Sequence, residues 1–138
     1  MTNRRHRVVC VLADGMTSIG AAIANDFFGA PGTEEVLGVP WYRYTICTAD
    51  PSPIRIGALH VTVQHGVSAL SRADTVIIPA RGIRPANPEL LAALARAYQR
   101  GARMVSFCTG AYVLAEAGLL DGRPVIGAQD VQGQVGRG

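Results

Sequence analysis

The chain contains no lysine, and all 13 of its basic residues are arginine, balanced by 10 acidic residues. Arg4, Arg5 and Arg7 form a small cluster near the N-terminus. No recognition-helix pattern follows this cluster, and no aromatic residues alternate with basic ones. The cluster therefore indicates a solvated segment before a strand. Specific nucleic-acid binding by these residues alone is not predicted.

Cysteine is scarce, with only Cys10, Cys47 and Cys108 in the chain. The number is odd, there is no C-x-x-C pair, and no Cys/His grouping has the spacing of a zinc site. Neither a disulfide framework nor a metal site is predicted, and no cofactor is expected. Cys10 and Cys47 lie inside apolar runs and are predicted to be core thiols.

Long apolar runs are absent as well. None reaches the length of a membrane span, and the opening residues lack the apolar region of a signal peptide. We therefore expect a cytoplasmic protein that has no membrane partner. Because 49% of the residues are hydrophobic, the chain can form a hydrophobic core without disulfides or a structural metal ion.

Four short apolar runs are present, and they predict buried strands at residues 7–12, 43–48, 75–79 and 103–107. They are continuous and do not alternate with polar residues, which is typical of a parallel sheet covered on both faces. Two shorter strands around Gly57 are predicted to form a small antiparallel excursion. Helical patterns lie between the main strands, so the chain is predicted to be an α/β sandwich.

Two helices are predicted with particular features. In residues 17–28, Ile19, Ile23 and Phe27 recur at every fourth position. Asn87-Pro88-Glu89 has the composition of a helix start, and Gly101 is predicted to end that helix. One domain is predicted over residues 1–124, while residues 125–138, rich in Gly, Gln and Val, are predicted to be a disordered tail.

Ligands of open α/β sheets bind beyond the carboxyl ends of the strands. Three turns of this chain fall there, after the first, third and fourth of the four main strands. Their convergence predicts a ligand site at this rim. The candidate ligand-binding residues are Asp14, Gly15, Ala80, Arg81, Gly82, Cys108, Thr109 and Gly110.

Cys108 is the candidate nucleophile of this rim, because it lies between an apolar strand and an apolar helix, as in a nucleophile elbow. The backbone N–H groups of Thr109 and Gly110 are predicted to face the thiol. An ordinary buried thiol at a strand-to-helix turn explains the same pattern, and the residues alone leave both readings open. No histidine follows Cys108, and His60 and His65 are predicted to be surface or loop residues.

The chain resembles the ThiJ/PfpI superfamily, also called class I glutamine amidotransferase-like, over about residues 7–123. The supporting segments are VVCVLADGMTSIGAAIANDFFG, YTICTAD, ADTVIIPA and NPELLAALARAYQRGARMVSFCTGAYVLAEAGLLDGR. More narrowly, it resembles the N-terminal domain of AraC-family transcription regulators. The resemblance implies a flavodoxin-like α/β sandwich with a mostly parallel sheet, often dimeric, with Cys108 at the nucleophile position.

The sequence departs from the catalytic members of that superfamily at three places. The acid of the first helix aligns with Gly20, the glycine after the third strand is Ala80, and the histidine-bearing stretch is replaced within residues 125–138. The leading hypothesis is therefore a sensing domain for a small-molecule ligand, with a homodimer as the implied assembly. Regulators of this type carry two helix-turn-helix units after the domain, so the sequence suggests a truncated or frame-shifted reading frame whose C-terminal part is incomplete.

Two alternatives keep Cys108 as the reacting group. One is a cysteine-dependent enzyme of the isonitrile hydratase, glyoxalase or amidase type. The other is a redox sensor, in which Cys108 is oxidised and held at the start of the next helix. Gly20 supplies no proton partner, so catalysis is the less favoured of these hypotheses.

Overall fold

A computed structural model describes residues 4–29, 42–81 and 84–123. In chain order its elements are β1 (His6–Leu12), α1 (Ser18–Ala24), a π-helical turn (Asn25–Gly29), β2 (Tyr42–Thr48), β3 (Ile54–Ile56), β4 (Leu59–Val61), a 3-10 helix (Val67–Arg72), β5 (Thr75–Ile78), α2 (Pro88–Gln99), β6 (Arg103–Ser106), a 3-10 turn (Cys108–Gly110) and α3 (Ala111–Glu116). Each predicted main strand is confirmed to within one residue at either end. Gly82 and residues 125–138, for which a ligand contact and a disordered tail were predicted, lie outside the described residues.

The main sheet has the strand order β2-β1-β5-β6, and every pair in it is parallel. Successive residues of β1 pack on opposite faces: Val9 and Val11 join one core cluster, and Val8 and Cys10 join the other. This two-sided burial explains why the strands are continuous apolar runs. The predicted α/β fold with a mostly parallel, flavodoxin-like sheet is confirmed.

The order of strands places a topological switch point between β1 and β5. From β1 the chain continues to β2 on one side, and it then returns to add β5 on the other side of β1. The segments that follow β1 and β5 therefore lead to opposite faces of the sheet, where Ala24 and Leu90 join different core clusters. In open α/β sheets such a switch point is the position at which ligands bind.

The helix α2 follows its sequence pattern closely. The Asn87 side chain accepts a hydrogen bond from the backbone N of Glu89 at 2.8 Å, as the capping pattern predicted. Leu90 and Leu94 are buried against the sheet. Gly101 has a φ of +96°, a conformation that glycine adopts without strain, and the helix ends just before it.

The helix α1 turns its large apolar residues outward. Ile19 of α1 and Phe27 of the π-helical turn that continues it are 69% and 70% exposed, whereas Gly20 and Ala24 form the buried face of α1. An apolar stripe of this spacing ordinarily packs on the core. Here the helix approaches the sheet so closely that only small residues fit between them, and the stripe Ile19, Ile23 and Phe27 remains on the surface of the described structure.

The predicted antiparallel excursion is also confirmed. The strands β3 and β4 pair through Ile54–Val61, Arg55–His60 and Ile56–Leu59, with Gly57 at a φ of +58° between them. A bridge between Met16 and Ile56 joins this hairpin to the segment after β1. The hairpin thereby covers the same sheet face as α1.

Candidate functional site

The turns after β5 and β6 are joined by one side chain. The hydroxyl of Thr109 donates to the carbonyl oxygen of Arg81 at 2.6 Å and accepts from the backbone N of Arg81 at 3.1 Å. This pair of hydrogen bonds fixes the backbone of Arg81 beside the start of the β6–α3 turn. Two of the predicted site residues, far apart in sequence, are therefore in direct contact.

The loop after β5 also reaches across the switch point. The guanidinium of Arg84 donates to the carbonyl oxygen of Asp14 at 2.8 Å, and its Nη2 lies 3.7 Å from where a Cβ on Gly15 would stand. The turns after β1, β5 and β6 are thus linked by hydrogen bonds into one rim. We use "the rim" for these three turns, which carry the predicted residues Asp14, Gly15, Ala80, Arg81, Cys108, Thr109 and Gly110.

Cys108 lies at the tip of the β6–α3 turn with a φ of +49°, and it is the only non-glycine residue of the described part with a positive φ. That backbone conformation is uncommon for a residue with a side chain and indicates a turn held by its surroundings. The side chain is exposed. The alternative of a buried core thiol is therefore wrong for Cys108.

The turn around Cys108 is tied to the end of β5. Phe107 N donates to the carbonyl oxygen of Ile78 at 3.0 Å, and Gly110 N donates to the carbonyl oxygen of Phe107 at 2.9 Å. The prediction that the Gly110 N–H faces the thiol is wrong, because a 3-10 turn uses this N–H internally. A Cβ on Gly110 would lie 2.2 Å from the Ile78 carbonyl oxygen, so only glycine fits at this position of the turn.

Asp14 holds the β3–β4 hairpin to the rim. Its Oδ1 accepts from the backbone N of Arg55 at 2.7 Å and lies 3.8 Å from Arg55 Nε. Its own backbone N donates to Asp50 Oδ2 at 2.8 Å, and Gly15 N donates to Arg55 O at 2.8 Å. The carboxylate thus has a positioning task, while contact with a ligand remains a prediction for this residue.

Gly20 lies where α1 meets the rim. A Cβ built on it would stand 2.9 Å from Pro79 Cβ and 3.4 Å from Phe107 Cδ2, and Phe107 directly precedes Cys108. The correspondence of Gly20 with the acid of the catalytic superfamily members remains a prediction. No side chain can extend from Gly20 into the rim unless Pro79 moves.

The described histidines are not arranged to serve Cys108. His6 Nε2 lies 2.8 Å from Thr75 Oγ1, where both residues begin their strands, at the opposite end of the sheet from the rim. His60 and His65 are exposed, as predicted, on β4 and in the segment that follows it. Among the described residues, no hydrogen bond joins a histidine side chain to Cys108.

The other two cysteines are inert by comparison. Both are fully buried, and burial raises the pKa of the Cys10 thiol to about 11 and that of Cys47 to about 12. Burial and then the adjacent Cys10 thiol also raise the pKa of Tyr44, whose hydroxyl oxygen has no partner of hydrogen-bonding geometry among the described residues. The prediction that Cys10 and Cys47 are core thiols is confirmed.

The sequence did not reveal two contacts that shape the rim. No local pattern around Arg84 indicates a contact with Asp14, yet its guanidinium donates to Asp14 O across the switch point. The packing of Gly20 on Pro79 joins residues 59 positions apart, and no local pattern marks it. A glycine in the middle of a helix was the available signal for such close packing.

Among the described residues, no group of three or more His, Cys, Asp or Glu side chains could hold a metal ion. Within the same residues, no helix has the length and apolar character needed to cross a membrane.

Comparison with known proteins gives one relative by sequence and several by fold. The chain is 37% identical over 128 residues to an uncharacterized protein encoded in the cpoL 5′ region of Streptomyces lividans, covering 89% of this chain and 87% of that protein. No family model matches the sequence.

Solved structures with the same fold include an AraC family transcriptional regulator from Pseudomonas putida, with a TM-score of 0.75 and 20% identity over 96% of this chain. A ThiJ/PfpI family protein from Pseudomonas syringae has a TM-score of 0.67 and 19% identity over 86% of this chain. The chain spans 71% of the former protein and 48% of the latter. The fold implied by the resemblance of the sequence to the ThiJ/PfpI superfamily is confirmed.

Proposed function

This chain belongs to the family of the Streptomyces lividans protein and has the ThiJ/PfpI fold shared by AraC-type regulators, and on that premise we propose that it is a ligand-sensing regulatory domain. The rim binds the ligand, a small molecule. The observation that carries this proposal is the linkage of the three turns through Thr109–Arg81 and Arg84–Asp14. A ligand that contacts one turn would shift the other two, which is what a sensor requires.

The packing of Gly20 favours sensing over catalysis. An exposed thiol becomes an efficient nucleophile when a base or an acid partner manages its proton. Gly20 of α1 packs against Pro79 and Phe107, the residue before Cys108, and α1 itself contains no Asp or Glu that could supply a carboxylate. Of the described histidines, His6 lies at the opposite end of the sheet, and His60 and His65 are exposed.

A cysteine-dependent enzyme remains the second candidate, and one observation favours it. Cys108 combines exposure with a φ of +49°, and we infer that the turn is a nucleophile elbow. The chemistry would then be attack of the thiolate on a carbonyl or isonitrile carbon, as in the alternatives named from the sequence. The rim supports both readings, and an assay of turnover separates them.

The sensing proposal is tested by binding and turnover on the same protein. Short-chain carboxylates are the probe, because the Arg81 guanidinium offers paired N–H donors for an anion. In two-dimensional amide NMR we expect shifts at Asp14, Arg81 and Thr109. Thr109→Val removes both hydrogen bonds to Arg81. The apparent dissociation constant obtained from these shifts is therefore expected to rise at least about tenfold. Thr62→Val, at an exposed position beyond β4, is the matched control and should leave them unchanged.

Turnover is measured with methylglyoxal and an isonitrile, comparing the unaltered protein with Cys108→Ser. We expect no cysteine-dependent activity in either assay. Activity that Cys108→Ser abolishes would assign the domain to enzymes and overturn the sensing proposal. Carboxylate-induced shifts away from the rim, or none at all, would also contradict it.

The sensing proposal includes a homodimer, and the stripe Ile19, Ile23 and Phe27 offers an apolar surface for it. Because these side chains are exposed, a charge there should not disturb the core. Sedimentation equilibrium is expected to give twice the 14.5 kDa chain mass for the unaltered protein and a shift towards 14.5 kDa for Phe27→Asp. Gln99→Asp, at an exposed position of α2, is the control and should leave the mass unchanged. A monomeric unaltered protein would refute the dimer.

A further inference from the structure

We propose that a second site, separate from the rim, binds a small phosphate-bearing ligand in a groove between the 3-10 helix and the sheet face formed by β1 and β2. The groove has a volume of about 290 Å³. Its polar lining, which we call the arginine groove, consists of Arg7, Arg43, Arg72, Thr45, Ser68 and Ser71, with His65 at one side. None of these residues belongs to the rim.

The arrangement of charge in the arginine groove is unfavourable without an anion. Arg7 and Arg43 are direct partners in the parallel pairing of β1 with β2, so two guanidinium-bearing side chains start from neighbouring positions. Like charges placed directly across a strand pair destabilise the sheet. Arg72, from the end of the 3-10 helix, adds a third positive charge to the same groove.

The described structure supplies no carboxylate to neutralise these three guanidinium groups. The residues that line the groove include no Asp or Glu. Asp74 lies near Arg7, but its carboxylate forms an ion pair with Arg4 and accepts from the backbone N of Arg7 at 2.8 Å. Within the described ranges, no ion pair is formed by the side chain of Arg7, Arg43 or Arg72.

The remaining polar groups suit phosphate. Arginine binds phosphate through paired N–H donors, and a dianionic group can accept from more than one guanidinium. Thr45 and Ser68 add hydroxyls, whereas the Ser71 hydroxyl already donates to Ser68 O at 2.8 Å and offers only its oxygen. The buried Val9 forms an apolar floor on which the body of a small ligand can rest.

The groove favours a small phosphorylated molecule over a nucleic acid. Its volume lies near the lower bound of about 300 Å³ for small-molecule pockets. Binding of a single strand typically adds aromatic side chains on which bases stack, and the lining includes no Phe, Tyr or Trp. A compact phosphate group with a short body matches both observations.

The proposal is tested by calorimetric titration with pyrophosphate and, separately, inorganic phosphate, against sodium chloride of matched ionic strength. Arg43→Gln and Arg72→Gln change exposed side chains, so the fold should persist. Each is expected to weaken pyrophosphate binding about tenfold, since each removes a charge-assisted contact. Arg96→Gln, on the exposed side of α2, is the control and should change affinity less than about twofold.

A second measurement compares melting temperatures, first without ligand and then with pyrophosphate. Because Arg43→Gln relieves the repulsion with Arg7, its melting temperature in phosphate-free buffer is expected to equal or exceed that of the unaltered protein. In the unaltered protein, pyrophosphate should raise the melting temperature, and this rise should be smaller in Arg43→Gln.

Three results would overturn the proposal. One is the absence of saturable binding of pyrophosphate or phosphate. Another is binding that Arg43→Gln and Arg72→Gln leave unchanged. The third is a single-stranded oligonucleotide that binds more tightly than pyrophosphate with a steep dependence on salt, which would assign the groove to nucleic acid.

Discussion

Replacing Gly110 by alanine is expected to lower the free energy of unfolding by at least about 3 kcal/mol, which is more than a hundredfold in the folding equilibrium. The added Cβ would stand 2.2 Å from the Ile78 carbonyl oxygen and 2.9 Å from that of Pro79. Both atoms belong to the backbone at the end of β5, so no side-chain rotation relieves the clash. The β6–α3 turn must move away from the sheet, and with it the exposed thiol of Cys108.

Denaturation by guanidinium chloride, followed by circular dichroism, measures this loss. Gly66→Ala is the matched control, because a Cβ there meets nothing within 4 Å and the residue has a φ of −86°. The free energy of unfolding of Gly66→Ala is expected to be unchanged or to rise by up to about 1 kcal/mol, because alanine lowers the conformational entropy of the unfolded chain. Equal effects of the two substitutions would mean that the close passage of the turn over β5 does not hold in solution.

The second large effect is a contrast in thiol reactivity. In the folded protein we expect a disulfide reagent such as DTNB to modify Cys108 at least about a hundredfold faster than Cys10 and Cys47. Both slow residues are fully buried. Their thiols have pKa values of about 11 and 12, so at pH 8 the reactive thiolate makes up about one part in a thousand or less of each. Burial raises these pKa values well above pH 9. Below its pKa a thiol gains thiolate about tenfold per pH unit, so the thiolate fraction of both residues is still small at pH 9.

The measurement is a count of modified thiols. One thiol should react in the folded protein and all three after unfolding in guanidinium chloride. Cys108→Ser should give none in the folded state and two after unfolding. Rapid modification of Cys10 or Cys47 would contradict the packing of the sheet. A single fast thiol is required by both alternatives that use Cys108, the enzyme and the redox sensor.

The sheet could be predicted from the sequence because its strands are short, continuous apolar runs bounded by turn residues. The helix α2 could be predicted as well, since Asn87 caps it and Gly101 follows its end.

The exposure of Cys108 could not be predicted from the sequence. An apolar strand followed by Cys-Thr-Gly fits both an exposed and a buried thiol, and only the approach of the β6–α3 turn to β5 decides between them.

The features that the sequence concealed depend on contacts between distant residues. The face of α1 that packs is set by the distance from Gly20 to Pro79, so the apolar stripe predicted a helix without revealing that the stripe is exposed. The arginine groove needs the register of β1 with β2, which pairs Arg7 with Arg43. The internal hydrogen bond of Gly110 depends on a 3-10 turn that a three-residue motif does not encode.

The contact between Gly20 and Pro79 also limits how this lineage can change. A mutation from Gly20 to glutamate would bring a Cβ to 2.9 Å from Pro79 Cβ, so it would disturb the protein before it could supply an acid to Cys108. An acidic side chain at position 20 therefore needs a compensating change, either a smaller residue in place of Pro79 or a shift of α1 away from the sheet. Positions 20 and 79 are thus coupled, and the effects of substitutions at the two are not expected to add.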